Sequence, residues 1–388
     1  MEQAADNRAY WVWLQHAFGP GSPKPWRIFR TTPGGVRGFY ELGPSYWNTS
    51  RSITDREAGL LDSFPLSQAE AKLGYAQKGV SMVLTPECAE YPEALRNIYA
   101  PPAVLYVKGS LPEVDCHPAI AVVGSRKAEE KALEAARAIA YQLALEGAVL
   151  ATGCAQGVDS AALSGALRGM GKAVVFLPEG LQVSPINQER YLRQQILDCG
   201  GALVSEYDLD SFQRHGAYQM RNRLISGLCC GVLVVQAAAK SGTMITAKYA
   251  REQDRDIFVY PGDPENPAYA GSAALIEDGA KPVTSGREIL EEYELRFQNR
   301  QERAVVNLFD DAENLFPSGT GLADSGKAGE TQVSEEARRV YGLLGQSPRH
   351  LADLAEEADL PASRLLALLT ELEVEGLARS HPGKRYSR

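Results

Sequence analysis

Six short apolar runs, spaced by helical stretches, constrain this chain more than any other feature. They occupy residues 119–123, 148–151, 173–177, 202–205, 232–235 and 257–260 and are built mainly from Val, Ala and Leu. Runs of this length that do not alternate with polar residues read as parallel strands covered on both faces. The segments between them carry helical periodicity: residues 126–146 place Ala132, Ala135, Ala136, Ile139, Ala140 and Leu143 on one helix face, and Gly147 follows as a terminator. The expected fold class is therefore α/β with a mostly parallel sheet. Such a sheet binds ligands beyond the carboxyl ends of its strands, where turns lead into helix N-termini.

At 388 residues the chain is too long for one compact core. Residues 1–78 hold all four tryptophans and a helical tail, and read as a small N-terminal helical domain whose aromatics form a core. Residues 79–300 form the α/β domain, with 79–110 supplying two further strands at an edge of the sheet. Residues 301–332, rich in Asp, Glu, Gly and Ser, read as a flexible acidic linker. Residues 333–388 show three helical segments and a terminal hairpin, the pattern of a winged-helix domain. That tail carries 8 Lys/Arg against 9 Asp/Glu, which favours a protein partner over sequence-specific DNA reading.

No apolar run approaches the roughly 20 residues needed to span a bilayer, and the N-terminus lacks a signal-peptide pattern. A cytoplasmic protein is expected. The six cysteines lack paired metal-ligand spacing and the five histidines are dispersed, so neither a metal nor a cofactor is expected. The net charge of −9 argues mildly against nucleic acid, since affinity for phosphates comes from clustered Lys and Arg. A basic rim on an acidic body remains compatible with it.

Three glycine-containing turns follow strands: Gly124-Ser125-Arg126, the stretch from Gly153 to Gly157, and Lys240-Ser241-Gly242-Thr243. The last sets a cation and two hydroxyls ahead of a helix, a phosphate cradle in which backbone N–H groups and the helix dipole favour an anion. Asp159 reads equally as a plain helix cap and as a ligand contact. After Ser205-Glu206 a long connection leads to Arg221-Asn222-Arg223, with Arg214 and His215 just before it. Coming off a strand end, these charges are expected to point into the ligand crevice.

The ordered motifs carry a family likeness. Tyr91-Pro92, VVGSR at 122–126, TGCAQGVD at 152–159, Ser205-Glu206, RNRLISGL at 221–228, SGTMITA at 241–247 and Pro261-Gly262 together resemble the bacterial DNA-processing protein A family (DprA, also called Smf). The flanking pieces also resemble the accessory domains of long members, the N-terminal one being of SAM or helix-hairpin-helix type. The resemblance implies an extended Rossmann-like fold without dinucleotide chemistry and a homodimer. It implies a protein that is not an enzyme, that binds and protects single-stranded DNA, and that loads the recombinase RecA during natural transformation. The site it implies comprises Gly124, Ser125, Arg126, Arg221, Asn222, Arg223, Lys240, Ser241 and Gly242, with Gly153, Gly157 and Thr243 in the same turns. Arg126 and Lys240 would neutralise phosphates while Asn222 and backbone amides position them. Against the family pattern, Tyr218-Gln219 stands for Phe-Pro, Leu163 for His, Gln236 for an acid, Ser184-Pro185 for Tyr-Pro and Ala273 for Asn. Tyr218 keeps the ability to stack on a base.

Two other functions share this core. One is a nucleoside-monophosphate phosphoribohydrolase-like enzyme, for which Glu206 is the only nearby acid and lacks a partner base. The other is a sensor of a nucleotide or nucleotide derivative that uses the same rim.

Overall fold

A computed structural model describes residues 6–185, 187–297, 335–345, 349–358, 360, 362–374, 377–381 and 385–388. The expected acidic linker, 301–332, lies outside the described residues. Residues 1–301 form one compact unit and 302–388 a second.

The first unit begins with five helices, α1 (Arg8–Phe18), α2 (Lys24–Thr31), α3 (Gly35–Trp47), α4 (Asp55–Ser63) and α5 (Leu66–Gly79). Then come β1 (Met82–Leu84), α6 (Glu93–Arg96), β2 (Leu105–Gly109), β3 (Ala119–Val123), α7 (Glu130–Leu145), β4 (Val149–Thr152) and α8 (Val158–Arg168). The chain continues through β5 (Ala173–Phe176), α9 (Asn187–Asp198), β6 (Ala202–Ser205), α10 (Ala217–Leu228), β7 (Gly231–Val234) and α11 (Gly242–Glu252). It closes with β8 (Asp256–Val259), α12 (Ala270–Glu277), β9 (Lys281–Pro282) and α13 (Gly286–Leu290).

The strands make one nine-stranded sheet in the order β1-β2-β6-β5-β4-β3-β7-β8-β9. From β6 to β9 all neighbours are parallel. β2 runs antiparallel to β6, and the edge strand β1 antiparallel to β2, with Met82 opposite Val107. The fold is α/β with a mostly parallel sheet, as the apolar runs imply. Every residue of β3 to β7 is buried, because a helical layer covers each face. One core gathers Ala136, Ile139 and Leu143 of α7 with Ala162 and Ala166 of α8. The other gathers Leu224, Ile225 and Leu228 of α10 with Ala247 and Ala250 of α11.

Strand order reverses at β3, which lies between β4 and β7. The crevice past β3 and β7 is therefore the switch point at which an open parallel sheet accepts a ligand. The N-terminal helices share a third core with the sheet edge: Trp11, Trp13 and Trp47 pack in one cluster with Val83, Val104, Tyr106 and Leu209.

The second unit has helices at Glu335–Leu343, Leu351–Ala358 and Ala362–Val374. They pair with a three-stranded sheet, β10 (Arg349–His350), β12 (Arg385–Ser387) and β11 (Arg379–His381), around Val340, Leu354, Leu365, Leu368 and Leu372. This is a winged-helix arrangement. Among the described residues no helix is long and apolar enough to cross a membrane.

Candidate nucleic-acid interface

The three glycine-containing turns meet above the carboxyl ends of the central strands. Between them and α10 lies a crevice of about 450 Å³ whose walls include Gly124, Ser125, Arg126, Tyr218, Arg221, Asn222, Ser241, Gly242 and Thr243. Hydrogen bonds lock the first turn to its neighbours. Ser125 donates its N–H to the Gln236 carbonyl at 2.8 Å, and its own carbonyl accepts from Val158 N–H at 3.2 Å. Gln236 also accepts the Glu129 N–H through Oε1 at 3.0 Å, so the amide that replaces the family's usual acid keeps the acceptor this turn requires. Its Nε2 is buried without a partner.

Two of the glycines are explained by close approach. Gly157 adopts φ +86°, and a Cβ there would lie 2.3 Å from the Ser125 carbonyl oxygen. A Cβ on Gly153 would lie 2.2 Å from the Arg221 guanidinium. Gly157 therefore stands behind the first turn, outside the crevice walls, and Gly153 belongs to the wall of an adjoining cavity that shares Arg126 and Tyr218.

α10 begins at Ala217, so Arg221-Asn222-Arg223 sits in its second turn. Residues two apart on a helix point about 200° apart, and the two arginines diverge accordingly. Arg221, 4% exposed, donates from Nη1 to the carbonyls of Gly153 at 2.8 Å and Phe176 at 2.5 Å. Burial pulls its pKa below the ordinary arginine value, opposed by the charge of Asp159. Arg221 thus ties strand ends together. Arg223 faces away from the crevice and pairs with Glu206 at 2.6 Å, both side chains being buried. The expectation that all the charges of this segment point into the crevice is corrected for Arg223, and also for Arg214 and His215, which line a separate cavity together with Glu206. That i to i+2 spacing is a helical signal readable from sequence alone.

Asp159 is the second residue of α8. It accepts the N–H groups of Gly153 at 3.2 Å and Ala155 at 3.3 Å, so it folds the preceding turn back onto its own helix. Burial raises its pKa, opposed by Arg221. Glu206, the acid on which an enzymatic reading depended, is 3% exposed and is held by Arg223 and by the N–H of Gly21 at 2.9 Å. It does not line the crevice. Cys154 is buried, and that burial pushes its thiol up to about 12.

The crevice wall carries donors and the cation Arg126, together with the buried carboxylate of Asp159. Arg126 is exposed and lies over the Tyr218 ring, 4.7 Å from its centroid. Lys240 is exposed on the turn before α11 and lies outside the crevice walls. Among the described residues no carboxylate pairs with either cation. α11 starts at Gly242, two residues after Lys240 and in the same crevice wall as Arg126, and the N–H groups of a helix's first turn lack intrahelical acceptors. The hydroxyl oxygen of Ser241 is buried there without a partner. Of the other departures from the family pattern, Leu163 is fully buried in the α7–α8 core. Ser184 and Pro185 line the adjoining cavity. Ala273 is half-buried on α12 beside Ser272, whose Oγ accepts the Ala237 N–H at 3.0 Å. Among the described residues no group of His, Cys, Asp and Glu is placed to hold a metal.

Comparison with known proteins places the chain in context. The family model described as DNA recombination-mediator protein A matches residues 82–294, and that of the DprA winged helix domain matches 326–384. Protein Smf of Escherichia coli K12 is 32% identical over 331 residues, 85% of this chain and 84% of that protein. Protein Smf of a Synechocystis strain is 32% identical over 319 residues, 79% of each. The crystal structure of DNA processing protein A from Streptococcus pneumoniae superposes with a TM-score of 0.59 at 26% identity, covering 76% of this chain and 99% of that one.

Proposed function

We propose that this protein, which belongs to the DNA recombination-mediator protein A family, grips single-stranded DNA in the crevice above β3 and β7. From there the strand is passed to a recombinase of the RecA type. The protein works in the cytoplasm as a homodimer and carries out no chemistry on the strand. The observation that carries this reading is the pair of exposed cations with no carboxylate partner among the described residues, Arg126 in the crevice wall and Lys240 on the turn just before the α11 N-terminus. A phosphodiester backbone is recognised by fixed cations together with free backbone N–H groups. The buried cations of α10 serve a different purpose: Arg221 and Arg223 fix the wall and are not available to solvent.

The test is a salt titration of fluorescence anisotropy with single-stranded and duplex oligonucleotides. Each phosphate contact on a single strand contributes about 0.7 to the slope of log K against log salt. Replacing Arg126 and Lys240 with Ala is expected to lower the slope by about 1.4 and to weaken single-strand binding. An unchanged slope and affinity would sink the proposal. Loss of binding on truncation after residue 301 would move the DNA site to the winged-helix unit.

A further inference from the structure

A separate cavity of about 360 Å³ lies where the N-terminal helices meet the connection from β6 to α10. On one side stand Gln15 and His16 of α1 and Lys72 of α5; on the other stand Tyr207, Ser211, Arg214 and His215 of that connection. It shares no wall residue with the crevice. The volume is that of a small-ligand site.

The acids of this cavity are already matched. Glu206 pairs with Arg223 at 2.6 Å, and Asp208 pairs with Lys72 at 2.6 Å. Asp208 also accepts the Tyr106 hydroxyl at 3.2 Å. Gln15 is held at both ends, donating to the Glu206 carbonyl and accepting the Val104 N–H. Arg214 and His215 are exposed, and among the described residues no carboxylate pairs with either. His16 packs its ring flat against Phe64, with centroids 3.9 Å apart. Burial and the Lys72 charge, opposed by Asp208, hold its pKa below the ordinary histidine value. His16 is therefore a neutral hydrogen-bonding group at neutral pH. The excess positive charge comes from Arg214 and, when protonated, His215.

An isolated surface arginine needs no ligand. Here a guanidinium and an imidazole line a cavity whose own carboxylates are satisfied, together with the hydroxyls of Tyr207 and Ser211. What remains is rich in donors. A phosphate monoester answers it, with a charge of about −1.5 to −2 and about three acceptor oxygens for a guanidinium fork and its neighbours. The rest of the volume, bordered by Pro20 and Met220, leaves room for a small organic part. We propose that this cavity binds a small phosphate ester, its phosphoryl group held by Arg214 and His215. The proposal is independent of the reading of the crevice. Such a ligand would tie α1 and α5 to the segment leading into α10, which also carries Tyr218, Arg221 and Asn222 of the crevice wall.

The test is a thermal-shift titration of the full chain with inorganic phosphate, in potassium chloride at constant ionic strength. Arg126→Ala with Lys240→Ala serves as the background, so that phosphate drawn to the crevice cations does not contribute. Arg214→Ala with His215→Ala is then added to it. Phosphate also stabilises folded proteins by exclusion from their surfaces, so the readout is the difference between the two proteins, each measured from its own phosphate-free Tm. The background protein is expected to gain about 2 °C more than the fourfold variant, and to saturate, because only it holds a ligand of the native state. A rise that is equal in the two proteins, or that does not saturate in the background protein, would overturn the proposal. Either result leaves the crevice reading, which is tested by oligonucleotide binding, where it stood.

Discussion

Replacing Glu206 with Ala should destabilise the first unit by about 3–5 kcal/mol, the cost of leaving one charge of a buried pair without its partner. The structure supplies the reasons. Glu206 and Arg223 have side chains only 3% and 5% exposed, with their closest atoms 2.6 Å apart. Nε and Nη1 of Arg223 already lack partners, so the guanidinium depends on this carboxylate. The same carboxylate accepts the Gly21 N–H, and the Glu206 carbonyl accepts from Gln15 Nε2 at 2.8 Å. Gln15 in turn accepts the Val104 N–H at 3.0 Å. Helix α1, the sheet edge and α10 are thus joined at one buried polar point. The assay is urea denaturation followed by tryptophan fluorescence, which reports the N-terminal core directly because Trp11, Trp13 and Trp47 are buried in it. With a slope near the upper end for small proteins, about 3 kcal/mol per molar urea, the midpoint should fall by about 1 M or more. Adding Arg223→Met to Glu206→Ala should recover much of the loss, since it removes the stranded charge. A single variant within about 1 kcal/mol of the parent, or a double variant less stable than the single one, would refute the claim that this pair is desolvated and mutually dependent.

Gly157→Ala should cost about 1–3 kcal/mol, since it forces a side chain onto a backbone at φ +86°. It should weaken single-strand binding as well, because the new Cβ would displace the Ser125 carbonyl; an unchanged melting temperature would contradict the geometry. Cys154 should resist a thiol reagent at pH 8 in the folded protein while the exposed Cys199 reacts, and rapid modification of both would show the burial to be wrong. With the Cys154 pKa raised from 9.0 to about 12, the fold favours the protonated thiol. Its contribution to stability is complete below about pH 9 and is lost as pH rises toward 12, a trend that urea midpoints at alkaline pH would reveal.

Much of the architecture was legible in the sequence because its determinants are local. Five-residue apolar runs such as AIAVV at 119–123 and the one-sided alanines of α7 state which segments are buried strands and which helices pack on them. The three glycine-containing turns were legible for the same reason, since each lies between a strand run and a helical run. What those turns do to one another was not legible. Gly157 is required by the Ser125 carbonyl and Gly153 by Arg221, contacts across 32 and 68 positions that exist only once the sheet has formed.

The fate of the charges divides in the same way. The sequence shows four basic side chains between Arg214 and Arg223, with Asn222 among them, but their accessibility depends on what the fold sets against each. Arg223 is claimed by Glu206, which a separate strand carries to it, and Arg221 by carbonyls at two strand ends. Arg126 and Lys240 are exposed, and among the described residues no carboxylate forms an ion pair with either. Burial patterns are written in neighbouring residues, whereas pairing and exposure are settled between residues distant in sequence. The chain alone therefore determined the fold class and the turns at its rim, and tertiary packing decided which of their side chains can meet a ligand.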